Sequence, residues 1–257
     1  MAELSRAAQA LAEWWDWAGV ESASAPIPPP PAKAPAPAAR SARPAPAAPA
    51  QGAREAAASA RTLAELHAAI ENFDGCGLKA TARSTVVSDG TAASEALLIG
   101  EAPGRDEDEQ GLPFVGRSGQ LLDRMLGAVG FDRKTNLLIS NVVFWRPPGN
   151  RPPTQAELAI CLPFVDRLIA LQQPKLLILS GAIAAKTVLR REEGVTRLRG
   201  RRLRFSPPEG GEPVNALVML HPAYLLRRPQ EKRLAWADLL MLDAWAEELG
   251  LQRGARP

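Results

Sequence analysis

Residues 95–104 read EALLIGEAPG, a short apolar run that breaks into a turn built from glycine, proline and a carboxylate. Five residues bounded by turn formers suit a strand buried on both faces, because strands in parallel sheets are nearly continuous in hydrophobicity. The same design recurs downstream. Asn136–Val143 (NLLISNVV), Lys175–Leu179 (KLLIL) and Ala216–Leu220 (ALVML) each read as a strand, and each is followed by polar or turn-forming residues. Between them lie helical periods. One runs over Gln120–Val129 and stops at Gly130; another runs from the capping box Thr154–Glu157 to about Leu171; others start near Ala182 and span about Gln230–Leu249. Thr62–Glu65 reads as a further capping box, for a helix ending near Asn72. Strands alternating with helices imply an α/β fold, a three-layer sandwich with a central, mostly parallel four-stranded sheet. Thr196–Phe205 (TRLRGRRLRF) reads as a basic hairpin ahead of the last strand.

Outward from this domain, set at residues 54–250, the composition changes. Residues 1–20 read as an amphipathic, Trp-rich helix, with Trp14, Trp15 and Trp17 beside an apolar face at Leu4, Ala8, Leu11, Trp15 and Ala18. Residues 21–53 are an Ala/Pro-rich disordered linker with ten prolines, reaching on the order of 90 Å if extended. Residues 251–257 are a tail. The tethered helix suits either docking to a protein partner or folding back on the domain.

The 257 residues carry a formal net charge of +3, a mild lean towards polyanions that identifies none. Two cysteines far apart make no disulfide framework, and no run approaches the length of a membrane span. The start of the chain lacks the basic and apolar regions of a signal peptide, so a cytoplasmic location is expected.

In open α/β sheets ligands gather beyond the carboxyl ends of the strands. Those ends carry Glu101, Ala102, Pro103 and Gly104, then Asn141, then Ser180 and Gly181, then His221 and Tyr224. Taken singly, each has an ordinary explanation: a turn, an amide satisfying a strand end, a structural histidine. The run Arg105–Glu109 (RDEDE) reads as a solvated face.

The set as a whole is more specific. GEAPGRDEDEQGLPFVGRSGQLLD (100–123), NVVFWRPPGNRPPT (141–154) and HPAYLLRRP (221–229) closely resemble the family 4 uracil-DNA glycosylases in content, order and spacing, over about residues 70–245. The resemblance implies an enzyme of base-excision repair that flips uracil out of DNA, single- or double-stranded, and hydrolyses its bond to the sugar. It implies a uracil pocket of Glu101, Ala102, Pro103, Gly104, Glu107, Phe114, Asn141 and His221. Phe114 stacks on the base, Asn141 reads its O4 and N3–H, Glu107 lies near C5, and His221 donates to O2. In family 1 enzymes an aspartate follows the residue matching Glu101; here that position is Ala102. Either Glu101 or Asp108 assists the attacking water, or the water needs little activation, and the residues do not choose among these. Arg146, Asn150, Arg151, Tyr224, Leu225, Leu226 and Arg227 are the expected DNA contacts. A non-catalytic, uracil-DNA-sensing member of the superfamily is the alternative, and a broader base preference a second one. A monomer, acting at the nucleoid of a bacterium, is expected.

Family 4 enzymes hold a [4Fe–4S] cluster on four cysteines. Aligning the motifs places those ligands at Phe73, Cys76, Trp145 and Cys161, so two are replaced by aromatics. Four ligands are needed, normally thiolates. The expectation is therefore no cofactor, with Cys76 and Cys161 left as two buried, unlinked thiols.

Overall fold

A computed structural model describes residues 48–255. The expected Trp-rich helix at 1–20 and the linker up to residue 47 lie outside the described residues. In chain order come α1 (Ala48–Ser59), α2 (Leu63–Glu71), β1 (Ser88–Gly90), β2 (Ala96–Gly100), α3 (Arg105–Gln110), α4 (Arg117–Gly127), β3 (Leu137–Asn141) and α5 (Gln155–Gln172). They are followed by β4 (Leu176–Ser180), α6 (Ala182–Leu189), α7 (Val195–Leu198), β5 (Leu203–Phe205), β6 (Val214–Met219), α8 (Pro222–Arg227) and α9 (Lys232–Glu248).

The sheet runs β1-β3-β2-β4-β6-β5. Its inner four strands are parallel, as the apolar runs require, and every residue of β2, β3 and β4 is buried. Alternate residues serve opposite layers. Leu97, Ile99, Leu138, Leu177 and Leu179 join one core with Phe144, Phe164, Val165 and Leu168 beneath α5. Leu98, Ile139, Ile178 and Leu217 are equally buried on the other face, the side of α9, which packs on β6. The result is the three-layer α/β sandwich.

Both capped helices begin where their capping residues stand. Thr62 Oγ accepts from the Glu65 N–H, and at Thr154 the box closes both ways, the Glu157 carboxylate accepting the Thr154 N–H at 2.7 Å.

Four expectations need correction. The sheet has six strands, because short antiparallel edges flank the parallel four: β1 pairs with β3 and β5 with β6. The basic segment is no hairpin, since Val195–Leu198 form a helical turn and only Leu203–Phe205 join the sheet. The domain reaches back at least to Ala48, ahead of the expected start at 54: Ala50, Ala53 and Ala57 are buried, α1 packs on α5, and Arg167 donates twice to the Ala60 carbonyl. The tail is held too, as Leu251 is buried and the Gly254 N–H donates to the Gly130 carbonyl at 2.8 Å.

Candidate active site at the carboxyl ends of the strands

Parallel register places Gly100, the last residue of β2, directly opposite Asn141, the last of β3. Asn141 is buried. A side chain at position 100 has no room: a Cβ there would stand 2.5 Å from both the Asn141 Oδ1 and the Phe114 ring carbon Cε2. The absent side chain is what lets the amide and the ring converge over the end of β2. Phe114 is itself buried, in the left-handed region with φ 54°. Its ring lies 5.5 Å from that of His221, inclined by 30°.

His221 caps α8. Its Nδ1 accepts the Ala223 N–H at 3.1 Å, so that nitrogen carries a lone pair and the ring proton of the neutral form sits on Nε2. Burial first, and then the nearby Arg227 guanidinium, hold its pKa down at about 4. The imidazole is therefore neutral at physiological pH.

A cavity of about 490 Å³ opens here. Its walls include Glu101, Ala102, Pro103, Gly104, Glu107, Phe114, Asn141 and His221, all eight residues of the expected pocket, with Asn150, Arg151, Tyr224 and Arg227 at its lining as well. Sequence reasoning missed Ser118, Pro147, Pro152, Ile183 and Ala223 on the same wall. Ser118, Pro147, Pro152 and Ala223 all lie inside the three quoted motifs, which offered them without singling them out; Ile183 left no signal.

The carboxylates divide sharply. Glu101 is half-buried, its carboxyl pushed up by burial and partly drawn back by Arg227, and among the described residues it accepts no side-chain hydrogen bond. Glu107 lines the cavity but is fully engaged: Oε1 accepts the Val115 and Gly116 N–H groups at 3.0 and 2.9 Å, and Oε2 accepts that of Gly104 at 3.1 Å. The expectation that Asp108 is a catalytic candidate is corrected. It is off the cavity wall, buried, with Oδ1 accepting the Arg83 and Ser84 N–H groups at 2.8 and 3.1 Å.

The expected DNA contacts divide as well. Leu226 is 39% exposed, while Leu225 is fully buried in the layer where α8 meets α4, so it is core and not a DNA contact. Arg227 is exposed at the cavity, and Tyr224 is half-buried with the Arg228 guanidinium 5.9 Å from its ring. Arg146 donates to the Asn150 Oδ1 at 2.7 Å, and Arg151 pairs bidentately with Glu157 at 2.6 and 2.9 Å. That pair, with the cap, holds the Glu157 carboxyl down at about 2.

Behind the sheet, Cys76 and Cys161 are buried free thiols, and their mutual interaction draws the Cys76 thiol down and pushes that of Cys161 well up. Phe73 packs edge-on against Phe164 at 5.2 Å, and the Trp145 indole donates to Thr85 at 3.0 Å. None of the four reaches the cavity.

Comparison with known proteins agrees with the motifs. Residues 87–240 match the model of the Uracil DNA glycosylase superfamily. A Type-4 uracil-DNA glycosylase of Pyrobaculum aerophilum is 36% identical over 183 residues, 70% of this chain and 92% of that protein. One of Thermotoga maritima is 35% identical over 184 residues, 70% of this chain and 93% of its own, and one of Archaeoglobus fulgidus 35% over 159 residues, 60% and 78%.

These relatives overturn the expectation that a cofactor is absent. They are Type-4 enzymes, the iron–sulfur class, so two missing cysteines do not establish an iron-free protein. The residues fit such a cluster only in part. The paired thiols are two of four ligands, and among the described residues no third His, Cys, Asp or Glu stands with them.

Proposed function

Because the chain belongs to the uracil-DNA glycosylase superfamily, as one of its Type-4 DNA glycosylases, we propose that it takes a flipped uracil into the cavity at the strand ends and hydrolyses its N-glycosidic bond, opening base-excision repair. The observation that carries this reading is the convergence of Phe114, Asn141 and a neutral, Nε2-protonated His221 on that one cavity.

The base enters with its face on the Phe114 ring. The Asn141 amide donates to uracil O4 and accepts from N3–H. Cytosine offers the opposite polarity at both atoms, and the mismatch leaves buried polar groups unpaired, a strong penalty. As the bond from C1′ to N1 lengthens, its electron pair moves onto the base and charge gathers on O2. His221 Nε2–H donates to that oxygen without transferring its proton. One donor held ready for developing charge is worth about 10²–10³ in rate. Water adds to C1′ of the cation-like sugar and loses a proton. Glu101 is the carboxylate placed to take it, because it alone of Glu101, Glu107 and Asp108 has no backbone N–H groups to serve. Leu226 fills the gap in the stack, and Arg227 with Arg228 meets phosphates flanking it. The protein acts as a monomer on chromosomal DNA, at the nucleoid of a bacterial cytoplasm, and the N-terminal Trp-rich segment is a candidate for docking a protein partner.

The test is a single-turnover cleavage assay on single- and double-stranded oligonucleotides holding uracil, hypoxanthine or mismatched thymine. Wild-type protein is expected to release uracil, with His221→Ala and Asn141→Ala each slower by about 10² or more and still folded. Tight binding of uracil-DNA without cleavage by the wild type, or near-wild-type rates in both variants, overturns the reading.

A further inference from the structure

Arg133 lies outside every motif quoted above, in the turn between α4 and β3, and does not line the cavity. Its side chain is only 12% exposed, yet all five guanidinium N–H donors are used. Nε donates to the Asp123 Oδ1 at 3.1 Å, and Nη2 reaches the same oxygen at 2.7 Å. Nη1 donates to the Asp89 Oδ2 at 2.8 Å and to the Pro113 carbonyl at 2.9 Å. The remaining Nη2 proton goes to the carbonyl of Phe114 at 2.8 Å. Two carboxylates thus neutralise and aim a fork whose other prongs hold consecutive carbonyls of the turn that presents the Phe114 ring.

That turn needs holding. Phe114 sits at φ 54°, where a side chain is strained, and such a conformation persists only when its surroundings over-determine it. The same carbonyl is also hemmed in by α4, where a Cβ on Gly119 would overlap the Phe114 carbonyl group. The carbonyl is gripped by the guanidinium and closely packed by the bare backbone of Gly119. The ring at the other end of the residue is left facing His221.

We propose that Arg133 is a positioning residue: through the Pro113 and Phe114 carbonyls it fixes the ring on which the flipped base stacks, and so governs the rate of uracil release without touching DNA. The inference rests on the reading that Phe114 contacts the base. Lysine cannot replace it, since one ammonium offers three donors from a single point and cannot span two carbonyls and two carboxylates.

The test joins kinetics to a signal that needs no activity. Arg133→Gln and Arg133→Lys are each expected to slow single-turnover uracil release by about 10- to 100-fold, the scale of a displacement near 1 Å. The half-saturating DNA concentration stays unchanged. In a Phe114→Leu background the same Arg133 changes are expected to add no further loss, because the ring through which Arg133 acts is gone. Protein labelled with 4-fluorophenylalanine gives a fluorine resonance for each of six phenylalanines, that of Phe114 assigned with Phe114→Leu. In Arg133→Gln only that resonance moves or splits. Losses that multiply in the double variant, or a Phe114 resonance that stays put, overturn the proposal. If Arg133→Gln does not fold, Asp123→Asn loosens the fork from its more exposed side, and the same two readouts decide. A wild-type protein that releases no uracil refutes the catalytic reading instead, while the fluorine signal still tests the grip on the ring.

Discussion

Gly100→Ala adds one methyl group, and it adds it where Asn141 and Phe114, the two side chains proposed to read the base, meet. The new carbon falls 2.5 Å from the Asn141 Oδ1 and 2.5 Å from Phe114 Cε2. Ordinary carbon contacts lie at about 3.5–4.0 Å, so the neighbours must withdraw by about 1 Å. Neither can do so freely. Asn141 is 2% exposed, and the Phe114 backbone is held by the Arg133 guanidinium and closely packed by Gly119. Overpacking of this kind costs about 1–3 kcal/mol of stability. A displacement near 1 Å in a positioned group costs about 10²-fold in rate, or about 2.7 kcal/mol of transition-state stabilisation. Activity is thus expected to fall by about 10² in a protein that still unfolds cooperatively, a few degrees lower. The assay is single-turnover release of uracil from an oligonucleotide, read by alkaline cleavage of the abasic site, with thermal unfolding in parallel. Gly127→Ala is the matched control. It sits at the end of α4 with nothing within 4 Å of its Cβ position, so rate should be unchanged and stability equal or slightly higher. A Gly100→Ala enzyme within about threefold of wild type would refute the claim that catalysis depends on this convergence.

Three further outcomes follow from charge and packing. With its folded pKa near 4 against about 6.5 unfolded, His221 is protonated first in the unfolded chain. Its contribution is therefore whole above pH 6.5 and lost as pH falls towards 4, by up to about 3 kcal/mol, and His221→Gln should flatten that slope in thermal unfolding. The rate should show no step at pH 6.5. Its acid limb should instead follow Glu101, whose carboxyl burial has raised, and vanish in Glu101→Gln; a limb that survives that change excludes Glu101 as the base. Removing residues 1–47 should leave rate and melting temperature on short oligonucleotides unchanged. Removing 1–60 should lower the melting temperature, since it uncovers α5 and deprives Arg167 of the Ala60 carbonyl. Equal behaviour of the two truncations sinks the assignment of α1 to the folded body.

The parallel core was legible because buried parallel strands are nearly continuous apolar runs, and ALLIG, LLISN and LLILS each open with three or more apolar residues before a polar or turn-forming end. The edges were not. Ser88–Gly90 (SDG) has no apolar pattern and becomes a strand only because β3 offers a free edge. Leu203–Phe205 does alternate, buried, exposed, buried, but three residues among arginines are too few to separate a strand from a hairpin arm. Helix α1 was hidden by composition. Its buried face is alanine, at 50, 53 and 57, which carries little hydrophobic contrast and invites close approach to α5 instead. Leu225 and Leu226 are neighbours in sequence with opposite fates, because a six-residue helix has one buried side and only α4 decides which. Arg133 left no local signal at all, since its partners are at 89, 113, 114 and 123.

The acidic run shows the same principle at the level of chemistry. Read along the chain, Asp106–Glu109 is a patch of like charge that belongs in water. In the fold, Glu107 and Asp108 are buried and between them accept five backbone N–H groups, from Gly104, Val115, Gly116, Arg83 and Ser84. Each of those donors lies in a loop that no sheet or long helix can satisfy, and a buried N–H without a partner is expensive. Both carboxylates are therefore committed to structure: Glu107 holds the cavity wall at Gly104, Asp108 holds residues 83 and 84 away from that wall, and to take a proton either would have to give up those bonds. Glu101 has the reverse arrangement. It serves no backbone group, it faces the cavity, and burial makes it more ready to hold a proton than an ordinary glutamate. A carboxylate that faces the cavity and is free of structural duty is the one whose protonation could change during the proposed turnover without moving the site, and of the three only Glu101 meets both conditions.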